Sequence, residues 1–406
     1  MKQKFLVVSA YGMLSLLELA SLRDSKNFEF GVTNCSGHSA TLEIELGDAR
    51  ELAKRLGGFY KMARICGESP EELLEFLPLP DETKFNWTIS SYDCNPETLE
   101  ETRSIVSDFL KSNSLGKSRF LKPESETGIN FGREPVASEL KLKELAKNVL
   151  SRNENRVEGL DVVVHCQDGM KVYGYTQFIS DVSGYEKRDF SRSYQDPTST
   201  LGPRLARVLV NLSSIQRKQT LLDPFCGLGT ILQEAMMCGY NAVGVDISQA
   251  HVRKCVTNLE WFRKQYGISP KLGYQIYHAD SMKLESTDIP PVDGIATEPI
   301  LVPKLESNPT AIEASKLLVE VKSKYDELIR AFARFIRSTG QKAVLVVPEI
   351  VDDRGRNHTI KMEELMGNDF SLYLPQLPGL ESENPCRVPT SKKKIVQRRV
   401  YVMQRL

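Results

Sequence analysis

The stretch Asp223-Pro-Phe-Cys-Gly-Leu-Gly-Thr230 constrains the fold of this chain more than any other. It directly follows a short apolar run at 221–223 and directly precedes an apolar helical run at 231–238. Gly227 and Gly229 let a backbone turn sharply from a strand into a helix and let a ligand lie against the main chain, while the helix start presents free N–H groups. The alternation continues. Strands are expected at 242–246, 274–278, 294–297 and 343–348, and helices at 204–212, 250–262 and 325–337. This is the pattern of a doubly wound, mainly parallel sheet. Residues 370–374 and 396–404 are expected to close it as an antiparallel hairpin across a lysine-rich loop.

Acidic residues sit where the next strands end. Asp246 lies 17 residues past Gly229, at the position from which a carboxylate accepts both hydroxyls of a ribose. Asp280, in His278-Ala-Asp280, is placed to accept the exocyclic amine of an adenine. Any one of these acids reads equally well as a loop or N-cap residue. Three at successive strand ends describe an adenosine site. A dinucleotide would need the full G-x-G-x-x-G, but the chain reads Gly227-Leu-Gly229-Thr-Ile-Leu232. S-adenosylmethionine carries no phosphate, so one Gly-rich turn along its methionine moiety suffices, with Asp223 pairing its amino group. Phe225, Thr230, Ile247 and Ser281 flank these positions and complete the expected cofactor set.

The fourth predicted strand ends Asp293-Gly-Ile-Ala-Thr-Glu-Pro-Ile-Leu301. Together with the Gly-rich stretch it resembles the methyltransferases that modify exocyclic amino groups of bases. In those enzymes the strand ends Asp/Asn-Pro-Pro-aromatic. The side-chain oxygen and the first proline carbonyl accept hydrogen bonds from the target amine and aim its nitrogen at the sulfonium methyl. Here Glu298 replaces the acid, Pro299 keeps its place, and Ile300 and Leu301 replace proline and the aromatic. The resemblance implies Glu298 and Pro299 as the catalytic pair, with the carboxylate one methylene further out. Phe225, Tyr185 and Tyr194 are the rings left to stack on a base, although each reads more readily as a packing residue.

Upstream, strands are expected at 5–10, 41–46 and 62–66, and helices at 12–22 and 49–56, the latter closed by Gly57-Gly58. Their rhythm suggests a ferredoxin-like α+β domain over 1–85. After a break at 78–83, a strand at 87–92, a helix at 97–110, a helix at 141–150 and strands at 161–165 and 172–179 suggest a second α+β domain over 86–183. Asp168-Gly169 reads as the hairpin turn between the last two strands. The remaining residues, 184–406, form the α/β domain.

Arg55-Leu-Gly-Gly58, Lys61-Met-Ala-Arg-Ile65, Ser118-Arg-Phe-Leu-Lys-Pro123, Tyr185-Glu-Lys-Arg-Asp189 and Asn258-Leu-Glu-Trp261 narrow the resemblance. They are similar to segments of the THUMP-containing tRNA guanine-N2 methyltransferases of the guanosine-10 type. That family implies a Rossmann-like S-adenosylmethionine methyltransferase domain preceded by ferredoxin-like and THUMP domains. It implies tRNA as partner, bound through Lys117, Arg119, Lys122, Lys143 and Lys147, and leaves a small activator protein open as a second partner. Two other functions stand beside it: a non-catalytic RNA-binding protein that keeps the fold, and a DNA amino-methyltransferase.

Composition fits, but only when read locally. Lys+Arg and Asp+Glu number 53 each, so net charge alone points to no polyanionic partner. Residues 42–101 carry 14 acidic against 6 basic side chains, whereas 103–152 carry 10 basic against 6 acidic and 201–406 carry 28 against 22. Taken alone, the basic run ending in Lys392, Lys393, Lys394, Arg398 and Arg399 reads as a solvated face. The eight cysteines contain no C-x-x-C pair and no histidine partners at zinc-ligand spacing, so neither a metal nor a disulfide framework is expected. With no long apolar window, a cytoplasmic, non-membrane protein is expected.

Overall fold

The computed structural model describes residues 2–79, 84–113, 117–121, 152–153, 156–157, 159–167, 169–195, 201–299, 302–303, 305–389 and 394–406. The chain divides into two units. The first comprises Met1–Ala10, Phe30–Lys54 and Phe59–Ser183; the second comprises Tyr11–Glu29, Arg55–Gly58 and Gly184–Leu406.

In the first unit, β1 (Lys2–Ser9), β2 (Phe30–Ser36), β3 (Ser39–Glu45) and β4 (Phe59–Gly67) pair antiparallel in the order β2-β3-β1-β4, which is the ferredoxin-like order. The sheet does not stop at residue 85. It runs on from β4 through β10 (Met170–Ile179), β9 (Gly159–Gln167), β5 (Lys84–Tyr92) and β6 (Lys117–Phe120), so residues on both sides of the expected boundary share eight strands.

A buried ion pair lies close to this junction. Lys61 on β4 contacts Asp161 on β9 at 2.8 Å with neither side chain exposed, and Asp161 also accepts hydrogen bonds from Ser90 at 2.6 Å and from Thr176. Removing one partner would strand the other charge in the interior. Leu6, Val8, Ala63 and Val163 pack across the same junction.

Two helices of this unit, α2 (Leu46–Arg55) and α4 (Pro96–Asn113), were expected. β2 and α3 (Pro70–Phe76) were not, although α3 has a local start signal: the Ser69 side chain accepts from the Glu72 N–H at 3.2 Å and Pro70 follows the cap. β7 (Arg152–Asn153) and β8 (Arg156–Val157) form a separate short pair. Cys94 and Cys166 are bonded to each other, a pairing that their scattered spacing did not suggest. The expected helix at 141–150, with Lys143 and Lys147, and also Lys122, lie outside the described residues.

The second unit holds the mainly parallel sheet. Its main path is β13 (Tyr274–His278), β12 (Asn241–Asp246), β11 (Thr220–Asp223), β14 (Gly294–Thr297), β15 (Lys342–Val351), β19 (Val396–Arg405) and β17 (Phe370–Leu372). The first five pair parallel, and β19 enters antiparallel between β15 and β17, as a closing hairpin requires. Two short strands, β16 (Asn357–Thr359) and β18 (Cys386–Arg387), add to β15 and β19.

Its helices are α5 (Val182–Phe190), α6 (Pro203–Leu212), α7 (Thr230–Met237), α8 (Gln249–Gln265) and α9 (Ala311–Phe335). Leu222, Val245, Ile295 and Leu345 of the strands pack with Leu328 and Phe332 of α9. Leu232 and Met236 of α7 pack with Cys255 and Leu259 of α8 in a separate cluster. The last helix starts well before the expected 325, behind a capping box in which Thr310 and Glu313 satisfy each other's backbone N–H. No helix among the described residues is long and apolar enough to cross a membrane.

One N-terminal piece belongs to this second unit. Helix α1 (Met13–Asp24) presents Glu18, whose buried carboxylate accepts from the N–H of Gly57 at 2.8 Å, of Gly58 at 2.7 Å and from Asn211 at 2.6 Å. Arg55 donates to the Asn211 side-chain oxygen at 2.6 Å, to the Cys238 carbonyl at 2.9 Å and to the Tyr240 hydroxyl. The two glycines do more than end α2. A Cβ on Gly57 would come 2.8 Å from the Arg204 carbonyl, and one on Gly58 would come 2.7 Å from the Glu18 carboxylate, so only glycine allows this approach.

Glu18→Ala orphans two buried N–H groups and the Asn211 amide, and is expected to lower unfolding free energy by about 2–5 kcal/mol. Urea denaturation of the variant and the wild type checks this, and a change below about 1 kcal/mol would contradict it.

Candidate active site

Parallel pairing puts the carboxyl ends of β13, β12, β11 and β14 side by side. Asp280, Asp246, Asp223 and Glu298 follow or end those four strands and so share one edge of the sheet. In open α/β sheets that edge is where ligands bind.

The Gly-rich turn is held by hydrogen bonds to β12. The Cys226 N–H donates to the Val245 carbonyl at 2.9 Å, and the Gly227 N–H donates to Asp246 Oδ2 at 2.9 Å. Asp246 Oδ1 accepts from the Ser248 N–H at 2.8 Å. A carboxylate has about four lone-pair sites, so Asp246 clamps the loop and keeps acceptors for ligand hydroxyls. The two glycines differ in purpose. Gly229, at φ +87, would drive a Cβ to 2.7 Å from Cys255 Sγ, whereas the Cβ position of Gly227, at φ +50, has no atom within 4 Å from the other described residues beyond its two chain neighbours.

Around the turn, Asn258 of α8 donates to the carbonyls of Leu228 and Tyr194 at 3.1 Å each and accepts from the Tyr194 N–H at 3.0 Å. Thr230, expected to touch the cofactor, accepts a hydrogen bond at its hydroxyl oxygen from Arg192 Nη1 at 2.7 Å. Ile247 follows Asp246 and is 71% exposed, an apolar surface on which an adenine ring could lie. Asp280 accepts from the Met282 N–H at 3.1 Å and lies 3.5 Å from Lys283, with Ser281 buried beside it.

Asp223 is strongly perturbed. Burial pushes its carboxyl up to about 7, and the charges of Asp246 and Glu298 push the same way. Hydrogen bonds from the Thr297 hydroxyl at 2.6 Å and the Phe225 N–H at 3.2 Å oppose them. The result is a buried acid among like charges, suited to a cationic ligand group.

Glu298 has a partner that sequence reasoning missed. Arg398 of β19 donates through Nε to one carboxylate oxygen and through Nη2 to the other at 3.3 Å. The topology brings them together: Arg398 pairs with Pro348 of β15, the strand next to β14. Burial lowers the ammonium of nearby Lys394, the Arg398 charge lowers it further and Glu298 opposes. Arg399 and Arg387 in turn hold the buried Glu349, at 2.7 and 2.5 Å. The arginines of the C-terminal basic run are therefore ion-pair partners, not a solvated face; Lys392 and Lys393 lie outside the described residues.

The structure separates the three candidate stacking rings. Tyr185 is buried, with the Arg188 guanidinium 4.4 Å over its ring, and burial pushes its hydroxyl up to about 12. Arg188 and Arg207 both hold the buried Glu234 at 2.6 Å. Tyr185 is thus a packing residue. Phe225 is half-buried against the α9 core, and Tyr194 is 43% exposed. Ile300 and Leu301 lie outside the described residues.

Comparison with known proteins fits this geometry. The family described as RMKL-like, methyltransferase domain matches residues 191–351, and a DNA methylase family matches 106–257. Over 99% of this chain and 100% of the other, the structure is similar to TrmN from Thermus thermophilus, with a TM-score of 0.52 and 16% identity. The second unit has a Rossmann-like methyltransferase fold.

Curated relatives are similar in sequence as well. The tRNA (guanine(10)-N2)-dimethyltransferase of Methanothermobacter thermautotrophicus is 36% identical over 28% of this chain and 31% of its own length. The protein of that name from Methanocaldococcus jannaschii is 27% identical over 70% of this chain and 77% of its own length.

Asp223 gives the site a pH signature. Its carboxyl stands at about 7 in the folded chain against an ordinary value of 3.8, so folding takes up a proton. The associated stability is complete below about pH 4 and is lost as pH rises through 7, with a ceiling of roughly 4 kcal/mol. Asp223→Asn removes the titration, so between pH 5 and pH 8 the melting temperature of the wild type should fall more steeply than that of the variant. Parallel curves would contradict the assignment.

Proposed function

We propose that this chain is an S-adenosylmethionine-dependent RNA methyltransferase that methylates the exocyclic N2 of a guanosine in tRNA. The observation that carries the reading is the row of Asp280, Asp246, Asp223 and Glu298 along one sheet edge, with Pro299 next to Glu298. The similarity to the tRNA (guanine(10)-N2)-dimethyltransferases supports the choice of substrate.

The residues present suit the cofactor. Open backbone at Gly227, ribose acceptors on Asp246, the exposed Ile247 and the Asp280-Ser281 pair fit a nucleoside, and the buried Asp223 fits an ammonium. Phe225 borders the same turn, while Thr230 and Arg192 hold its helix start. When bound, the cofactor supplies a methyl group on a positively charged sulfur.

On the protein side, Glu298 and the Pro299 carbonyl accept the two amine hydrogens and turn the nitrogen lone pair toward the methyl carbon. With the cofactor bound, the amine nitrogen would take the methyl group while a neutral thioether left with the electron pair of the broken C–S bond, and Glu298 would receive the extra amine proton and release it to solvent. Little acid strength is needed, so positioning and desolvation supply most of the rate. The base must leave its stack to reach the edge.

RNA would be gripped through phosphates by residues of 86–183, read as a THUMP-like domain. Lys117 and Arg119 stand exposed on β6, an edge strand of the first unit's sheet, and Lys122, Lys143 and Lys147 belong to the same proposal. Such binding weakens as salt rises.

A second reading, an RNA-binding protein without catalysis, is favoured by one observation: Arg398 already engages the Glu298 carboxylate. The product decides between them. Purified protein incubated with unmodified tRNA and labelled S-adenosylmethionine should yield N2-methylguanosine on digestion and mass spectrometry. Glu298→Ala should lower kcat by about 100-fold or more. Binding without any methylated guanosine would support the second reading. Affinity for tRNA should fall steeply with salt, and the slope should flatten when Lys117, Arg119 and Lys122 are replaced by glutamate. A flat response in the wild type would overturn the phosphate grip.

A further inference from the structure

Glu298 meets its partner through a particular pattern of donors. One guanidinium edge of Arg398 offers Nε–H and Nη2–H side by side, one to each carboxylate oxygen. An ionised carboxylate is acceptor-only and is matched best by two parallel N–H groups. Among the four bases, guanine alone carries that fork, as N1–H beside the N2 amine, both attached to one carbon as in a guanidinium. Adenine and cytosine place a ring acceptor beside the amine, which would set a lone pair against a carboxylate oxygen. Uracil has a single ring N–H between two carbonyls.

We infer that Arg398 occupies, in the free protein, the position that the Watson–Crick edge of the target guanine takes in the complex, so that substrate enters by exchanging one fork for the other. This rests on the reading above that a base amine is held at Glu298. It adds how the base is selected and what keeps Glu298 satisfied until the base arrives.

Guanine N1–H and one N2 hydrogen take the two carboxylate oxygens, and the second N2 hydrogen faces the Pro299 carbonyl. Lys394, whose ammonium is within electrostatic reach of both Glu298 and Arg398, keeps the carboxylate compensated during the exchange. The departure from the usual acid serves this arrangement. Glu298 follows β14 and Arg398 lies two strands away on β19, so the additional methylene helps the carboxylate reach a fork coming from that side.

The exchange makes the native arginine a competitor of the substrate, which an ordinary structural ion pair is not. Guanosine monophosphate and adenosine monophosphate share their phosphate, so the difference between them reports the base. Each is titrated into protein saturated with S-adenosylhomocysteine, which occupies the cofactor's own nucleoside site, and binding is followed by NMR.

Arg398→Gln, which has neither the charge nor the fork, should bind guanosine monophosphate at least fivefold more tightly than the wild type. Its affinity for adenosine monophosphate should not change. Millimolar guanidinium ion should compete with guanosine monophosphate in Arg398→Gln and have little effect in the wild type. Glu298→Gln, which presents one donor and one acceptor, should move the preference toward adenosine monophosphate.

In methyl transfer, Arg398→Gln should lower KM for tRNA while kcat stays within threefold. A fall in kcat of tenfold or more with KM unchanged would show that Arg398 holds Glu298 in place, and would overturn the exchange. So would unchanged or weaker binding of guanosine monophosphate, or an equal gain for adenosine monophosphate. Arg398→Lys, which keeps the charge without the fork, controls for folding. A wild type that methylates no tRNA guanosine would sink the proposed function, and the nucleotide titrations would still decide the exchange.

Discussion

Parallel pairing of β11 with β12 on one side and β14 on the other is the constraint from which the site follows. In a parallel sheet every strand delivers its carboxyl end to the same edge, so residues far apart in sequence are brought into one row. The crossovers that parallel pairing requires supply the helices, whose apolar sides pack with the strands' apolar residues. No residue of the site needs to be near another in sequence.

Gathering four carboxylates on one edge is unfavourable unless each is answered, and each is answered differently. Asp246 is matched by two backbone N–H groups, one of them from the Gly-rich turn. Asp280 has a backbone N–H and the ammonium of Lys283. Glu298 is met by the guanidinium of Arg398. Asp223 is met by neutral donors, Thr297 and the Phe225 N–H, and burial takes its carboxyl up to about 7. The row is thus three compensated acids and one that a cationic group would complete. That is a binding surface with a defined polarity, set before any ligand arrives.

Much of this was legible in the sequence because it is local. The turn from Asp223 to Thr230 and the acids at strand ends are each written within a few residues, and the closing hairpin shows as two apolar runs on either side of a lysine-rich loop. What escaped depends on contacts between residues far apart. Arg398 reaches Glu298 through strand pairing across about a hundred positions, and nothing near either residue announces it. The two expected N-terminal domains share one sheet through the pairing of β4 with β10, and Lys61 and Asp161, which meet near that junction, each read alone as an ordinary strand residue. Gly57 and Gly58 do follow the end of α2, as their sequence suggests, but their close approach to Arg204 and Glu18 is not written locally. Of the three candidate rings, Tyr185 takes the packing role its sequence favoured, beneath the Arg188 guanidinium.

The central claim is that this edge holds the amine of a guanine. Inosine is guanosine without that amine, and an inosine scan of a tRNA, one guanosine replaced at a time, tests the claim most directly. With labelled S-adenosylmethionine, inosine at one guanosine position should abolish methyl transfer while tRNA binding persists. Transfer that survives every such replacement, or label found on an adenine amine, would contradict it.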